Sequence, residues 1–309
     1  MKVRAAISIM FILFLFSCGD GKKQTANISD DTLSSGIIHI SVDESFKPII
    51  DSQLKVFLTL YPKANVITHY KPEAECLKDL LYDSIRMVIV TRGLTEGEAA
   101  FFTDTLGFTP RYGKMASDAI AVVMNKKSKD SIFSVSDIRS ILSGSSFYKY
   151  RPVMDGNRAT STVRFLLDSV LRGQKFSKEV QAAATSEDVI DYVSGHADAM
   201  GFVGVSWIGN KEDSTQLSFL NKVNIANLQC ANCDKEVFVK PYQANIVLKR
   251  YPLVRGLHYI LKENYAGLGS GLVNFLTHEK GQLIFKRAYL APARMALQVR
   301  QAGIEETEL

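Results

Sequence analysis

Short apolar runs that alternate with stretches of helical periodicity constrain this chain more than any other feature. Ile37-Ile38-His39-Ile40-Ser41-Val42 reads as a strand, and Ile49, Ile50, Leu54, Phe57 and Leu58 then fall at helical spacing until Tyr61-Pro62. Ala64 to Tyr70 reads as the next strand, Pro72 to Leu81 as a helix begun by proline, and Met87-Val88-Ile89-Val90 as a buried strand. Thr95-Glu96-Gly97-Glu98 has the form of a capping box that opens a further helix. Strands alternating with helices predict an α/β fold with a mostly parallel sheet covered on both faces.

A second group begins with the strand Ala119 to Met124 and the helix Val135 to Leu142, closed by Gly144. The strand Arg151 to Met154, the helix Ser161 to Leu171 closed by Gly173, the helix Asp188 to Val193 closed by Gly195 and the strand Ala199 to Val205 follow. Leu253 to Leu261, Gly271 to Leu276 and Lys280 to Tyr289 carry helical spacing. No internal repeat is present.

The amino terminus has the layout of an export signal: Lys2 and Arg4, then the apolar run Ala5 to Phe16, too short to span a bilayer comfortably. It ends in Leu15-Phe16-Ser17-Cys18, which resembles a lipobox, so residues 1–17 are expected to be removed and Cys18 lipidated. The polar stretch from Gly19 to about Gly36 reads as a flexible tether, making 18–36 a lipidated linker. No second long apolar stretch follows, so attachment to the membrane is expected through acyl chains alone. Roughly 290 of the 309 residues then remain, which suits two domains.

The formal charge is +5, and losing Lys2 and Arg4 with no acid leaves +3. That excess suits an anionic ligand, while the absence of clustered cations with interleaved aromatics excludes a nucleic-acid stripe. Cys230-Ala-Asn-Cys233 is a lone CxxC, which speaks against four-thiolate zinc and for a disulfide stapling a loop from Leu228 to Glu236. The histidines His39, His69, His196, His258 and His278 show no metal-ligand spacing, and Gly204-Val205-Ser206-Trp207-Ile208-Gly209 misses the nucleophile elbow by one residue, so no metal, cofactor or catalytic residue is assigned.

The stretch Asp155-Gly156-Asn157-Arg158-Ala159-Thr160-Ser161-Thr162 lies between a strand and a helix. Unpaired N–H groups and partial positive charge at a helix start receive anions, and Thr160, Ser161 and Thr162 add hydroxyl donors where a cap needs only one. Arg158 and Arg164 stand beside them as alternative cations. Ser45 in Asp43-Glu44-Ser45-Phe46 is either an N-cap or a second donor, and Thr91-Arg92-Gly93-Leu94 ends a buried strand at the edge where open α/β sheets hold ligands.

These segments together resemble the substrate-binding subunits of phosphate ABC transporters, from about Ile37 to Met295. Ser45-Phe46 is similar to the Thr/Ser-Phe that begins the family's first helix, and Thr91-Arg92-Gly93-Leu94-Thr95 to its Ser-Arg-x-Leu turn. Ser117-Asp118 through Asn125 resembles its crossover strand, Ile141-Leu142-Ser143-Gly144 its Ile-Phe-Ser-Gly, Ala199 to Gly204 its Ala-Ile-Gly-Tyr-Val-Gly, and Tyr251-Pro252-Leu253-Val254-Arg255 its Tyr-Pro-Leu-x-Arg return. The middle loop departs: Asp155-Gly156 is kept, whereas the family's Ser-Gly-Thr is replaced by Thr160-Ser161-Thr162.

The resemblance implies a two-lobed periplasmic-binding-protein-like fold of type II, each lobe a mixed, mostly parallel sheet flanked by helices. Lobe I would comprise 37–118 plus 242–309 and lobe II 119–241, joined by crossovers near Ala116 to Val123 and Lys240 to Val247. It implies inorganic phosphate as ligand, held by Ser45, Phe46, Thr91, Arg92, Asp118, Asp155, Arg158, Thr160, Ser161 and Thr162. An aspartate, Asp118 or Asp155, would accept the proton that phosphate carries and sulfate lacks. The chain would then be a monomeric lipoprotein on the extracytoplasmic side of a bacterial membrane, delivering phosphate to a permease. Another oxyanion such as sulfate, molybdate or an organic phosphate, a sensing or scaffold role, and a hydrolase are the alternatives.

Overall fold

The computed structural model describes residues 31–156 and 160–294. The export signal, Cys18 and Arg158 lie outside them. The tether was expected to run to Gly36, but ordered structure begins earlier. Asp31 accepts hydrogen bonds from Leu268 N at 2.8 Å and Tyr265 Oη at 2.9 Å and pairs with Arg86, fastening the chain just before the first strand.

In chain order the strands are β1 Ser35–Asp43, β2 Lys63–Lys71, β3 Ile85–Val90, β4 Arg111–Asn125, β5 Ile132–Phe133, β6 Arg151–Asp155, β7 Gln181–Ala183, β8 Ala199–Gly204, β9 Val223–Ile225, β10 Asn227–Gln229, β11 Phe238–Val239, β12 Val254–Leu261 and β13 Ala291–Pro292. They run in the order β2-β1-β3-β12-β4-β8-β6-β7, with β9 and β13 also on β4 and a small sheet β11-β10-β5 apart. Strand β1 is parallel to β2 and β3, and β6 is parallel to β7 and β8, while β12 and β8 lie antiparallel to β4.

Strand β4 makes the fold two-lobed. Its residues through Ala119 pair with β12, and from Ile120 to Met124 it pairs with β8, so one strand belongs to both halves of the sheet. The return crossing is held against it: Ile120 N donates to Leu253 O at 2.8 Å and Tyr251 Oη donates to Ile120 O at 2.9 Å. The second crossing was expected as a strand near Lys240 to Val247; that segment instead contains the helix Gln243–Val247, whose Gln243 Nε2 donates to Lys286 O at 3.0 Å.

Leu253 to Leu261 was expected to be helical and forms β12. The register with β4 shifts between Leu257 and His258, so Arg255 and Leu257 are buried before the shift and Ile260 after it. A strand whose alternation changes phase at a bulge imitates helical spacing. The remaining expected elements form within a few residues of their expected bounds. Ser161 to Leu171 is one turn of α-helix, Ser161–Phe165, widening into a π-helix, Leu166–Leu171, before the left-handed Arg172 and Gly173. No helix among the described residues is long and apolar enough to cross a membrane.

Close packing between β8 and its neighbours needs glycine at one point. A Cβ on Gly201 would meet Val123, Val193 and Val189 side chains at 2.7–2.9 Å, whereas one on Gly195 would meet nothing. Gly201→Ala should therefore destabilise the protein by about 1–3 kcal/mol. Gly195→Ala, in the helix Ser186–Gly195, should leave stability unchanged or raise it by up to ~1 kcal/mol, and denaturant midpoints of the two variants check the contrast.

Candidate functional site

At the carboxyl ends of β1 and β6, where the two halves of the sheet face each other, hydroxyls and carboxylates from both converge. Asp43 caps the short 3₁₀ turn Glu44–Phe46 by accepting from Ser45 N at 3.1 Å. Ser45 is thereby free of capping. Its hydroxyl donates to Asp155 Oδ2 at 3.0 Å and lies 3.4 Å from Ser161 Oγ. The Ser45 carbonyl accepts from Ser206 Oγ at 2.8 Å and Trp207 Nε1 at 3.0 Å, so the residues after β8 clamp the turn after β1.

Thr160 serves as the N-cap on the other side, accepting from Val163 N at 3.2 Å. That leaves Ser161 and Thr162, both fully buried, to face inward, as the triple hydroxyl implied. Ser186, at the start of the helix Ser186–Gly195, donates to Glu44 Oε2 at 3.1 Å and to Asp155 Oδ2 at 3.4 Å.

The cation of the site is Arg255 of β12. Its Nε donates to Asp118 Oδ2 at 2.9 Å, with Nη2 equally close to the same oxygen, and Nη1 donates to Ser161 Oγ at 2.8 Å and Thr162 Oγ1 at 3.3 Å. Its guanidinium lies 4.8 Å from the centre of the Phe46 ring, a cation–π contact. Asp118 and Arg255 are cross-strand partners on β4 and β12, so the pairing is built into the sheet register. Gly204 admits the guanidinium: a Cβ there would stand 2.9 Å from Nη2.

The expected residues thus divide. Ser45, Phe46, Asp155, Thr160, Ser161 and Thr162 come together, and Asp118 joins them by holding Arg255. Thr91 belongs to an adjoining cluster: its N–H donates to Glu73 Oε1 at 2.8 Å, and its hydroxyl bonds Glu73 and Arg164. Arg164 reaches across to Glu73, with Nε 2.6 Å from Oε2. Arg92 stays out of the site because Glu98 takes both ends of its guanidinium, at 2.7 and 2.8 Å. Arg255, Asp43, Glu44 and Ser186 are the additions. Cys230 and Cys233 form the expected disulfide.

The charges are crowded. Burial pushes Asp155 and Asp118 above the usual carboxylate range, with Arg255 opposing the rise. Burial raises Asp43 to about 7 against the pull of Arg255, with Glu73 and Asp155 adding to the rise. Glu44 reaches about 7 through burial and the nearby Asp155. Burial also works to raise Glu73, but hydrogen bonds from Arg164 and Thr91 outweigh it and hold Glu73 below its ordinary value.

Two lobes on a shared strand, with a buried polar site between them that takes a hydroxyl from each, define a solute-binding-protein architecture. Residues 25–280 match a family model described as the PBP superfamily domain, and the chain belongs to that family. No curated protein matches the sequence. Among solved structures, a candidate phosphate ABC transporter substrate-binding protein from Clostridium perfringens, with bound phosphate, is 18% identical with a TM-score of 0.68, covering 84% of this chain and 100% of that one. An ABC-type phosphate transport receptor from Vibrio cholerae is 16% identical with a TM-score of 0.61, covering 82% and 99%. A regulatory domain from Synechocystis, in complex with 2-PG, shares the fold at 11% identity and a TM-score of 0.53, covering 78% and 96%.

The electrostatics make stability depend on pH in a defined direction. Asp43 and Glu44, raised in the folded state, hold protons that the unfolded chain has released, so their contribution is complete below about pH 4 and is lost as pH rises through about 7. Glu98, held at about 2 by Arg92, acts oppositely but only below that window. The melting temperature without ligand should fall by several degrees from pH 5 to pH 8, and Asp43→Asn should flatten that slope. Asp118→Ala, which strips Arg255 of its buried partner, should cost about 3–5 kcal/mol by chemical denaturation.

Proposed function

We propose that this protein is an extracytoplasmic solute-binding lipoprotein that captures inorganic phosphate between its lobes and delivers it to an ABC transporter permease. The observation that carries the reading is the convergence of Ser45 and Ser161, 3.4 Å apart from opposite halves of the sheet, on the Arg255 guanidinium. Hydroxyls and a fixed guanidinium suit a tetrahedral oxyanion, and Asp155 beside them suits an anion that still carries a proton. The Clostridium and Vibrio structures, named as a phosphate transporter's substrate-binding protein and a phosphate transport receptor, support the same ligand.

Because Ser45, Ser161, Thr162 and Asp155 are buried, a ligand enters only when the lobes part. The motion is hinge closure about β4 and the return crossing, with 37–118 plus 242–309 as one lobe and 119–241 as the other. Lipidation at Cys18 would tether a monomer on the outer side of its membrane. Ligand capture of this kind breaks no bond, so no side chain is given a catalytic role.

Calorimetry of the purified protein with inorganic phosphate should give a dissociation constant in the nanomolar to micromolar range, as usual for such capture. Sulfate should compete at least a thousandfold less well, since it has no proton for Asp155. Ser45→Ala and Ser161→Ala should each weaken phosphate binding by about tenfold, the worth of roughly 1–1.5 kcal/mol for one hydrogen bond. Absence of heat and of any thermal shift with phosphate, arsenate and sulfate alike would overturn the reading.

A further inference from the structure

Resting on that oxyanion reading, we propose that this site takes up protons from solvent together with its anion, with Asp43 and Glu44 entering the liganded state as neutral carboxylic acids that donate hydrogen bonds to it. The composition of the site is the starting point. Asp43, Asp118 and Asp155 act on a single guanidinium among the described residues, Arg255, with Glu44 beside Asp43 and Asp155, and Asp118 already neutralises the cation at 2.9 Å. An anion added to that arrangement would face three further carboxylates with no free cation to offset them.

The hydroxyls solve this only in part, because acids already use two of them. Ser45 donates to Asp155, and Ser186 to Glu44 and Asp155. A hydroxyl has one proton to give, so an incoming oxyanion must displace a carboxylate from it or receive donors from elsewhere. A protonated carboxyl is such a donor and removes a negative charge in the same step.

Three of the site's buried side-chain atoms lack a hydrogen-bond partner among the described residues, Asp43 Oδ2, Asp118 Oδ1 and Arg255 Nη2, the last of them still in ion-pair contact with Asp118 Oδ2 at 2.9 Å. Asp43 is 1% exposed and its other oxygen is fixed by Ser45 N, which leaves Oδ2 as the oxygen that would carry a proton toward the ligand. Glu44 reaches the same place from the next residue, through its bonds to Ser186.

The groups facing these two acids come from every neighbouring element. Asp43 faces Arg255 from β12, Glu73 and Cys76 from the helix Glu73–Asp79, and Asp155 from β6. Glu44 faces Asp155, Asp43 and Ser186. Arg164 acts on this set through Glu73, which it keeps ionised. Both acids already sit near the point of protonation at neutral pH, so an anion at van der Waals distance needs only a further rise to fill them.

The test is proton linkage measured directly. Inorganic phosphate is titrated calorimetrically into the purified protein at pH 8 in Hepes and in Tris, whose different ionisation heats report the protons taken up per phosphate bound. The same is done for Asp43→Asn, Glu44→Gln and the double variant, with folding checked by circular dichroism. Expected are net uptake by the wild type, an affinity falling about tenfold per pH unit for each such proton between pH 7 and 8.5, and a smaller uptake in each variant.

Phosphate's own proton, or one held by Asp155, would give equal uptake in the wild type and the double variant, and that result would overturn the proposal while leaving phosphate as ligand. Should Asp43→Asn not fold, the comparison of wild type with Glu44→Gln decides in the same way. Wild type that gives no binding to phosphate at any pH from 5.5 to 8.5 would instead overturn the oxyanion reading itself.

Discussion

The buried pair of Arg255 and Asp118 is the interaction on which the site depends. Full burial of a guanidinium is tolerable only with an acid in contact and its remaining N–H groups directed at acceptors. The register of β12 on β4 supplies the acid from the opposite position on the next strand, and Ser161 and Thr162 supply the acceptors. The Phe46 ring beneath adds an apolar surface that accepts a flat cation. The cation is thus mounted on β12, beside the strand that both lobes share, rather than on a loop that would reorganise.

Around that fixed charge the chain has placed more acid than cation. Turn-capping explains part of the excess, since Asp43 is needed to satisfy Ser45 N and so to direct the Ser45 side chain inward. Capping does not explain Glu44 or Asp155, whose carboxylates accept from hydroxyls that an oxyanion would otherwise use. Were an oxyanion to bind as proposed, these carboxylates would compete with it for one set of donors, and their protonation would decide that competition.

Much of this was legible from residue order, and the failures have physical causes. The hydroxyl triplet Thr160-Ser161-Thr162 and the Asp43-Glu44-Ser45 turn could be read because helix starts have unsatisfied N–H groups that a local pattern reveals. Arg255 was visible only as part of a Tyr-Pro-Leu-x-Arg segment of fold-level resemblance. Its role comes from a partner 137 residues away in sequence, and the bulge in β12 disguised the strand that carries it. Arg92 failed for the opposite reason, since Glu98, six residues on, captures it locally while also closing a capping box. Ser186 was missed because the helix it opens was expected to begin two residues later, at Asp188, hiding a Thr-Ser pair after β7 that repeats the donor pattern of the other helix starts.

The contacts also sort by whether they would survive a parting of the lobes. Arg255 and Asp118 sit opposite each other on adjacent strands of one half, so their pairing moves as a unit. The ties that cross between halves are those of Arg255 to Ser161 and Thr162, Ser45 to Asp155 and Ser161, the Ser45 carbonyl to Ser206 and Trp207, Glu44 to Ser186, and Glu73 to Arg164. Opening would return those hydroxyls and acids to water, where a carboxylate is content to be charged, and closing would bury them again. Closure and protonation are on this account two views of one event. In the proposed uptake the anion would be the third participant, because it would give the newly protonated acids something to donate to.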